Sequence, residues 1–232
     1  MTIRNFRNCV YMSETDYDAN FETRQFPLSS VDSLWLVVQK FTAGEGLAHV
    51  FLSFGLKGAQ PEFFSVSVEI RREQFETYNP IRGLYRTYEM THVVGDERDL
   101  IGVRTIHRPH DRVYLYRINA NAEQVQELFQ KLVERIAKLN QAPEFYNSVL
   151  NNCANGITRL TYELTPEPIN WLDPRIVLPG YSAEFAFEKE LIGDKADGGT
   201  FSDLNESARI DLIAREAGIS EVFSQSIRAA KD

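Results

Sequence analysis

The stretch that decides the fold is Leu47–Arg71, LAHVFLSFGLKGAQPEFFSVSVEIR. It holds two segments of alternating polarity, Leu47–Phe54 and Phe63–Arg71, separated by a turn signal at Gly58–Pro61. Side chains alternate between the two faces of a strand, so one face of each segment is apolar. The opposite face of the two segments carries a second set of residues, most of them polar: His49, Phe51, Ser53, Ser65, Ser67 and Glu69. Strands joined by a short loop pair as a hairpin, which predicts that this second set lies together.

The second set has two interpretations. A polar face on an antiparallel sheet usually faces solvent, and that is the simpler one. The alternative is a cleft wall, because His49 and Ser53 are embedded in an otherwise apolar strand. A lone histidine on a strand is more often structural than catalytic. Its role therefore depends on a nucleophile within reach.

A candidate nucleophile follows in Asn151–Cys153. Asparagine is a favoured N-cap residue, and Ala154–Leu164 has helical spacing before the stop at Pro166. A helix is therefore predicted to begin near Cys153. Unpaired backbone N–H groups and the helix dipole stabilise a thiolate there, and the same groups stabilise an oxyanion. A cysteine at a helix start, with His49 on a strand, indicates thiol acyl-transfer chemistry.

Further strands and one long helix are predicted around this hairpin. The predicted strands are Ser33–Lys40, Thr87–Val94, Ile101–Thr105 and Val113–Ile118. Asn121–Leu139 has apolar residues at helical spacing and a polar start, which predicts an amphipathic helix. Strands first and helices later favour an α+β fold, with an antiparallel sheet covered by helices on one side.

The length and composition favour one domain over residues 1–232. Its expected parts are an ordered, irregular N-terminal arm at 2–27, mainly strands at 33–118, helices including the cysteine helix at 121–164, and helices with loops at 165–232. Nothing in the sequence indicates an oligomeric state.

The charge pattern argues against nucleic acid as a partner. The formal net charge is −8, and basic residues are interspersed with acids rather than clustered. The densest basic patch, Arg104–Arg112, is interpreted as a solvated turn. No run of about 18 apolar residues exists, and the first thirty residues lack a signal-peptide pattern. We therefore expect a chain that stays in the cytoplasm or has lost an upstream targeting or membrane segment.

The cysteines and histidines predict no metal site and no cofactor. Two cysteines make no disulfide scaffold, and the context gives no support for a Cys9–Cys153 bridge. Zinc-ligand spacings are absent from the sequence. Cys9 lacks a helix-start signature, so a passive role is favoured. The remaining histidines are weaker candidates for a catalytic base than His49. His92 sits in a strand-like run without polar companions on its face, and His107 and His110 lie in a turn containing proline.

Several strings together resemble one bacterial family, the Lnb N-terminal periplasmic domain, formerly a domain of unknown function. They are Ile3–Arg7 (IRNFR), Ser13–Tyr17 (SETDY), Ala48–Gly55 (AHVFLSFG), Ser67–Arg71 (SVEIR), Gly95–Asp99 (GDERD), Pro143–Asn147 (PEFYN) and Asn152-Cys153. The resemblance runs in order from about Ile3 to Leu191.

The resemblance implies a fold similar to circularly permuted papain-like or NlpC/P60-like proteins, in which the histidine strand precedes the cysteine helix. This chain has that order, His49 and then Cys153. Family members in one bacterial lineage are lipoprotein N-acyltransferases, which implies an acyl-lipid or lipopeptide substrate. It also implies the periplasmic side of the inner membrane, with the membrane contacted through an upstream segment.

The resemblance also implies roles for single residues. Cys153 would carry the acyl group as a thioester, and His49 would be its base. Glu69 is the candidate that orients His49, with Ser53 and Ser67 as weaker alternatives. The helix start itself, rather than the resemblance, indicates that backbone N–H groups hold the oxyanion, together with the Asn152 side chain. Ser53 and Ser67 are further candidates for contacting the substrate or the oxyanion.

Two other functions remain open at this point. A cysteine peptidase or amidase acting on cell-wall peptides would use the same residues but need a polar, open cleft, whereas a lipid chain would need an apolar groove. A non-catalytic interaction domain would keep the fold and leave His49 and Cys153 apart.

Overall fold

The computed structural model describes residues 1–71, 87–147, 153–161, 164, 170, 173–195 and 198–229. The strands are β1 Thr2–Arg7, β2 Val10–Tyr11, β3 Tyr17–Asp18, β4 Phe21–Gln25, β5 Val31–Lys40, β6 Ala48–Leu56, β7 Glu62–Arg71, β8 Glu89–Asp96 and β9 Arg112–Arg117. The α-helices are α1 Glu97–Leu100, α2 Gly102–Thr105, α3 Ala122–Gln141, α4 Cys153–Thr161, α5 Pro174–Val177, α6 Ser182–Glu188, α7 Phe201–Ser207, α8 Asp211–Ala217 and α9 Phe223–Ser226. Short 3₁₀ turns occupy Leu28–Ser30 and Pro179–Tyr181.

One sheet dominates the fold, with the strand order β4-β1-β8-β7-β6-β5-β9. The predicted hairpin is its centre, because β6 pairs with β7 in antiparallel register from Leu52↔Val66 to Leu56↔Glu62. The predicted α+β class is confirmed. The sheet is mixed rather than wholly antiparallel, since β1 runs parallel to β8 at Arg7↔Gly95.

Helices cover both faces of the sheet, so the prediction of cover on one side was wrong. On one face, Leu52 packs in a cluster with Phe129 of α3 and Ile157 of α4. On the other face, Phe51 packs in a cluster with Leu100 of α1 and Ile210, which precedes α8. The physical reason is that β5 carries an unbroken run of buried apolar residues, Leu34–Val38, whose side chains alternate between the two faces, so neither face can be left to water.

The N-terminal arm at 2–27 is not irregular as predicted, since β1 and β4 lie in the main sheet. Phe6 of β1 is fully buried, and its ring lies 6.3 Å from that of Phe64. Polar residues dominate β4, which lies at the sheet edge, and β1 is also largely polar because half of its side chains are exposed and only Phe6 is buried. That composition hides the strand pattern.

The predicted strand Ile101–Thr105 is also wrong, because Gly102–Thr105 forms α2. The chain turns helical directly after β8, where the Asp96 side chain accepts a hydrogen bond from the Arg98 N–H and so caps α1. Once that cap is formed, the apolar run packs as two short helices against Phe51 rather than as a strand.

Candidate functional site

The sheet opens between β6 and β7 at one end. Their pairing begins at Leu52↔Val66, although β6 starts at Ala48 and β7 continues to Arg71. Residues 48–51 of β6 pair with β5, and residues 67–71 of β7 pair with β8. We call this unpaired region between residues 48–51 and 67–71 the split.

His49 spans the split. Its Nε2 atom lies 2.7 Å from Ser67 Oγ and 3.3 Å from Glu69 Oε1. The Ser67 hydroxyl donates to Glu69 Oε1 at 2.7 Å. The imidazole also stacks on the Phe51 ring, with 5.5 Å between centroids. The structure therefore brings together three residues of the predicted site, one histidine, one serine and one carboxylate.

Arg104 completes this network, and the sequence analysis missed it. Its Nη2 donates to Glu69 Oε1 at 2.7 Å, its Nη1 donates to the Leu100 carbonyl at 2.5 Å, and its guanidinium lies 4.9 Å from the Phe51 ring centre. The side chain is only 7% exposed. Assigning Arg104 to a solvated basic turn was therefore wrong. An arginine flanked by apolar residues in Ile101–Ile106 was the available signal.

The charges in this network fix its hydrogen bonding. Burial raises the pKa of Glu69, but His49, Arg104 and Ser67 lower it more and hold it well below its usual range. Glu69 is therefore ionised near neutral pH and can only accept hydrogen bonds. Since Ser67 gives its single proton to Glu69, the neighbouring His49 Nε2 must be the donor to Ser67. The basic nitrogen of a neutral His49 ring is then Nδ1.

The helix α4 begins at Cys153, as predicted. It packs on the opposite face of the sheet from His49, because Ile157 clusters with Val50 and Leu52, whose side chains alternate with those of His49 and Phe51. The Cys153 side chain and residue Asn152 lie outside the described part of the structure. The distance from sulfur to imidazole therefore remains a prediction.

Ser53 does not belong to the His49 network. Its hydroxyl bonds to the Glu97 carboxylate and lies 3.4 Å from Arg228 Nη2. Arg228 and Glu97 form a bidentate pair at 2.7 and 2.8 Å, with side chains 4% and 0% exposed. Of the two weaker alternatives for orienting His49, the structure brings Ser67 to the ring and leaves Ser53 in this buried ion pair.

A cavity of about 380 Å³ lies on the α4 face of the sheet. Its apolar lining comes from β6, β7, β8, α3 and α4: Leu52, Val66, Val68, Met90, Leu132, Ile157 and Leu160. Its other lining residues are His92, Arg135, Glu144, Gly156 and Arg159. Met90 and Val94, the neighbours of His92 on its own face of β8, are apolar, as the sequence indicated. The charged residues of the lining, Arg135, Glu144 and Arg159, come from outside β8.

Within the described ranges, no group of three or more His, Cys, Asp or Glu side chains is arranged to hold a metal ion. In the same part of the chain, no helix is long and apolar enough to cross a membrane.

Comparison with known proteins gave one family. The model of the Lnb N-terminal periplasmic domain matches residues 17–178, a segment that contains His49, Ser67, Glu69, Arg104 and Cys153. Neither the curated proteins nor the solved structures gave a match.

Proposed function

Because this chain belongs to the Lnb N-terminal periplasmic domain family, we propose that it transfers an acyl group through a Cys153 thioester on the periplasmic side of the inner membrane. The observation that carries the proposal is the network that orients His49. Ser67, Glu69 and Arg104 hold the ring through Nε2, so that Nδ1 is the basic nitrogen of the neutral ring. This is the arrangement that a thiol nucleophile needs from its base.

The chemical steps follow from that assignment. His49 Nδ1 takes the proton from Cys153 Sγ, and the thiolate attacks the carbonyl carbon of an acyl ester. The carbon–oxygen bond breaks, the imidazolium returns the proton to the departing alcohol, and a thioester remains on Cys153. An amine, or water in a hydrolase, then attacks the thioester carbonyl while His49 again takes a proton. The carbon–sulfur bond breaks, and the imidazolium returns the proton to the departing Cys153 thiolate. Glu69 stabilises the imidazolium that forms in each half-reaction.

The start of α4 supplies the remaining group. Backbone N–H groups at a helix start have no intrahelical partners and can stabilise a carbonyl oxygen that becomes negative. We expect the Asn152 side chain to assist them. Since α4 packs on the face opposite His49, the mechanism requires Cys153 to meet the imidazole at the split. The missing backbone pairing between residues 48–51 and 67–71 supports this meeting point.

Covalent capture of the acyl group tests the proposal. The wild-type chain incubated with a short-chain p-nitrophenyl ester, or with phospholipid vesicles, should gain one acyl mass on the Cys153 peptide. Cys153→Ala should abolish the adduct, and His49→Ala should slow its formation by about 10²–10⁴-fold. Cys9→Ala is the matched control and should label normally. An adduct that forms equally in Cys153→Ala would refute the proposal.

A peptidase acting on cell-wall peptides shares these residues but is less well supported. Its substrate is polar and extended, whereas the cavity beside α4 is lined mainly by aliphatic side chains.

A further inference from the structure

The cavity beside α4 is separated from His49 only by the sheet. Two of its lining residues, Val66 and Val68, flank Ser67 on β7, and their side chains point to the opposite face from the Ser67 hydroxyl. Gly156, which also lines the cavity, follows the first residue of α4 by about one helical turn. The cavity therefore adjoins both the split and the start of the cysteine helix.

We propose that this cavity holds the hydrocarbon chain of a phosphate-bearing lipid that donates the acyl group, and that Gly156 sets the chain length that fits. The inference rests on the proposed function, which leaves the donor unidentified. A volume of about 380 Å³ falls within the range of about 300–1,000 Å³ that is usual for small-molecule sites. Its mainly apolar lining matches a flexible hydrocarbon chain and offers few hydrogen-bond partners to a peptide backbone.

The charged residues of the lining are the more exposed ones, so they lie at the mouth of the cavity and set its charge. Arg135 and Glu144 pair with each other at 2.5 and 2.6 Å, and their side chains are 34% and 42% exposed. Arg159, from the outer side of α4, is exposed, and within the described residues it has no ion pair. A single uncompensated cation at the mouth of an apolar cavity complements a phosphate head group.

Gly156 is the position where the cavity can be changed with least disturbance. A Cβ atom built there meets no heavy atom of the described residues within 4 Å, so a larger side chain would extend into space that those residues leave open. Glycine within a helix is also less favourable than alanine or leucine, which means that its replacement should not unfold α4. The open space at Gly156 is therefore room that a bound chain can use.

Binding of n-alkyl phosphates to Cys153→Ala protein tests the inference without any covalent step. Calorimetric titration of the octyl, decyl, dodecyl and tetradecyl compounds, each below its micelle threshold, should show affinity rising about fourfold per methylene until the cavity is full. Gly156→Leu should shift that limit to shorter chains and weaken tetradecyl phosphate about tenfold. Gly156→Ala is the matched control and should stay close to the parent. Arg159→Gln should weaken dodecyl phosphate several-fold and leave dodecanol unchanged.

An affinity that does not depend on chain length, or Gly156→Leu binding every chain as the parent does, would overturn the cavity assignment. Equal loss of dodecanol and dodecyl phosphate in Arg159→Gln would overturn the head-group assignment. These results are independent of the thioester test. Length-dependent binding without a Cys153 adduct would leave the cavity assignment standing and refute the proposed function. A Cys153 adduct, together with Gly156→Leu binding that equals that of the parent, would support the proposed function and refute the cavity assignment.

Discussion

At the scale of single residues, the charge on Glu69 decides which nitrogen of His49 is basic. Glu69 is joined to His49 through Ser67 and to Arg104 directly, so it both fixes the ring and faces a buried cation. Strand alternation placed Glu69 on the same face as Ser67, and with the family resemblance it became the candidate for orienting His49. The sequence could not identify Arg104, because that contact joins positions 35 residues apart and depends on α2 being a helix.

Replacing Glu69 by Gln should lower kcat by about 10²-fold or more and change KM little. The amide cannot stabilise the imidazolium, although it can still accept a hydrogen bond from Arg104. Glu69→Asp keeps the charge and should recover part of kcat. Steady-state ester hydrolysis measures both constants. A Glu69→Gln enzyme with the parent kcat would show that the carboxylate has no part in orienting His49.

His92 should make the protein sensitive to mild acid. Burial, and then Arg135, lower its pKa from 6.5 to about 4, and Glu144 opposes them. The unfolded chain therefore binds a proton at higher pH than the folded chain does. Stability is full above about pH 6.5 and falls by roughly 3 kcal/mol as the pH drops towards 4.

His92→Leu should remove most of that loss, as measured by urea unfolding at pH 7 and pH 4.5. The exposed His110→Leu serves as the control for removing one histidine. The same drop in stability in His92→Leu and the parent would rule out His92 as its cause.

At the scale of elements, periodicity predicted the parts of the chain in which apolar residues recur at the spacing of one face of a helix or strand. The helix predicted at Asn121–Leu139 is α3, and the central hairpin is β6 and β7. Periodicity failed where tertiary contacts decide the conformation. The polar strand β1 pairs with β8 on one side and with the edge strand β4 on the other. The apolar segment Ile101–Thr105 is helical because the cap at Asp96 starts a helix directly after β8.

The capping box of α3 gives a stability test at this scale. The Asn121 side chain accepts from the Gln124 N–H at 3.0 Å, and the Gln124 side chain accepts from the Asn121 N–H at 2.9 Å. Asn121→Ala should cost about 1 kcal/mol of the free energy of unfolding. Gln124→Ala should cost less, and the double variant should cost less than the sum of the two. Additive losses in urea denaturation would mean that the two bonds act independently.

At the scale of the whole molecule, the core extends beyond the segment that the family model matches. Phe6 precedes residues 17–178, while Ile210, Phe223 and Ile227 follow them, and all four are fully buried. The C-terminal part also contributes Arg228, whose ion pair with Glu97 ties the end of the chain to the face of the sheet that carries His49.

Arg228→Met should lower the free energy of unfolding by about 3–5 kcal/mol, because it leaves the Glu97 carboxylate buried without a cation. Adding Glu97→Gln should restore much of that loss, since no buried charge then remains unpaired. Chemical denaturation of the two variants gives the comparison. A double variant no more stable than Arg228→Met alone would show that packing of Arg228 on Phe63, rather than the charge pair, provides the stability.

The central claim is that His49 activates Cys153, and the rate of Cys153 alkylation by iodoacetamide as a function of pH tests it most directly. Peptide mass mapping separates Cys153 from Cys9, whose thiol pKa is raised by burial and whose side chain should react slowly throughout. The account predicts that Cys153 reacts as a thiolate well below the ordinary cysteine pKa of about 8.5, and that His49→Ala moves the midpoint back towards that value. Identical profiles for wild type and His49→Ala would contradict it.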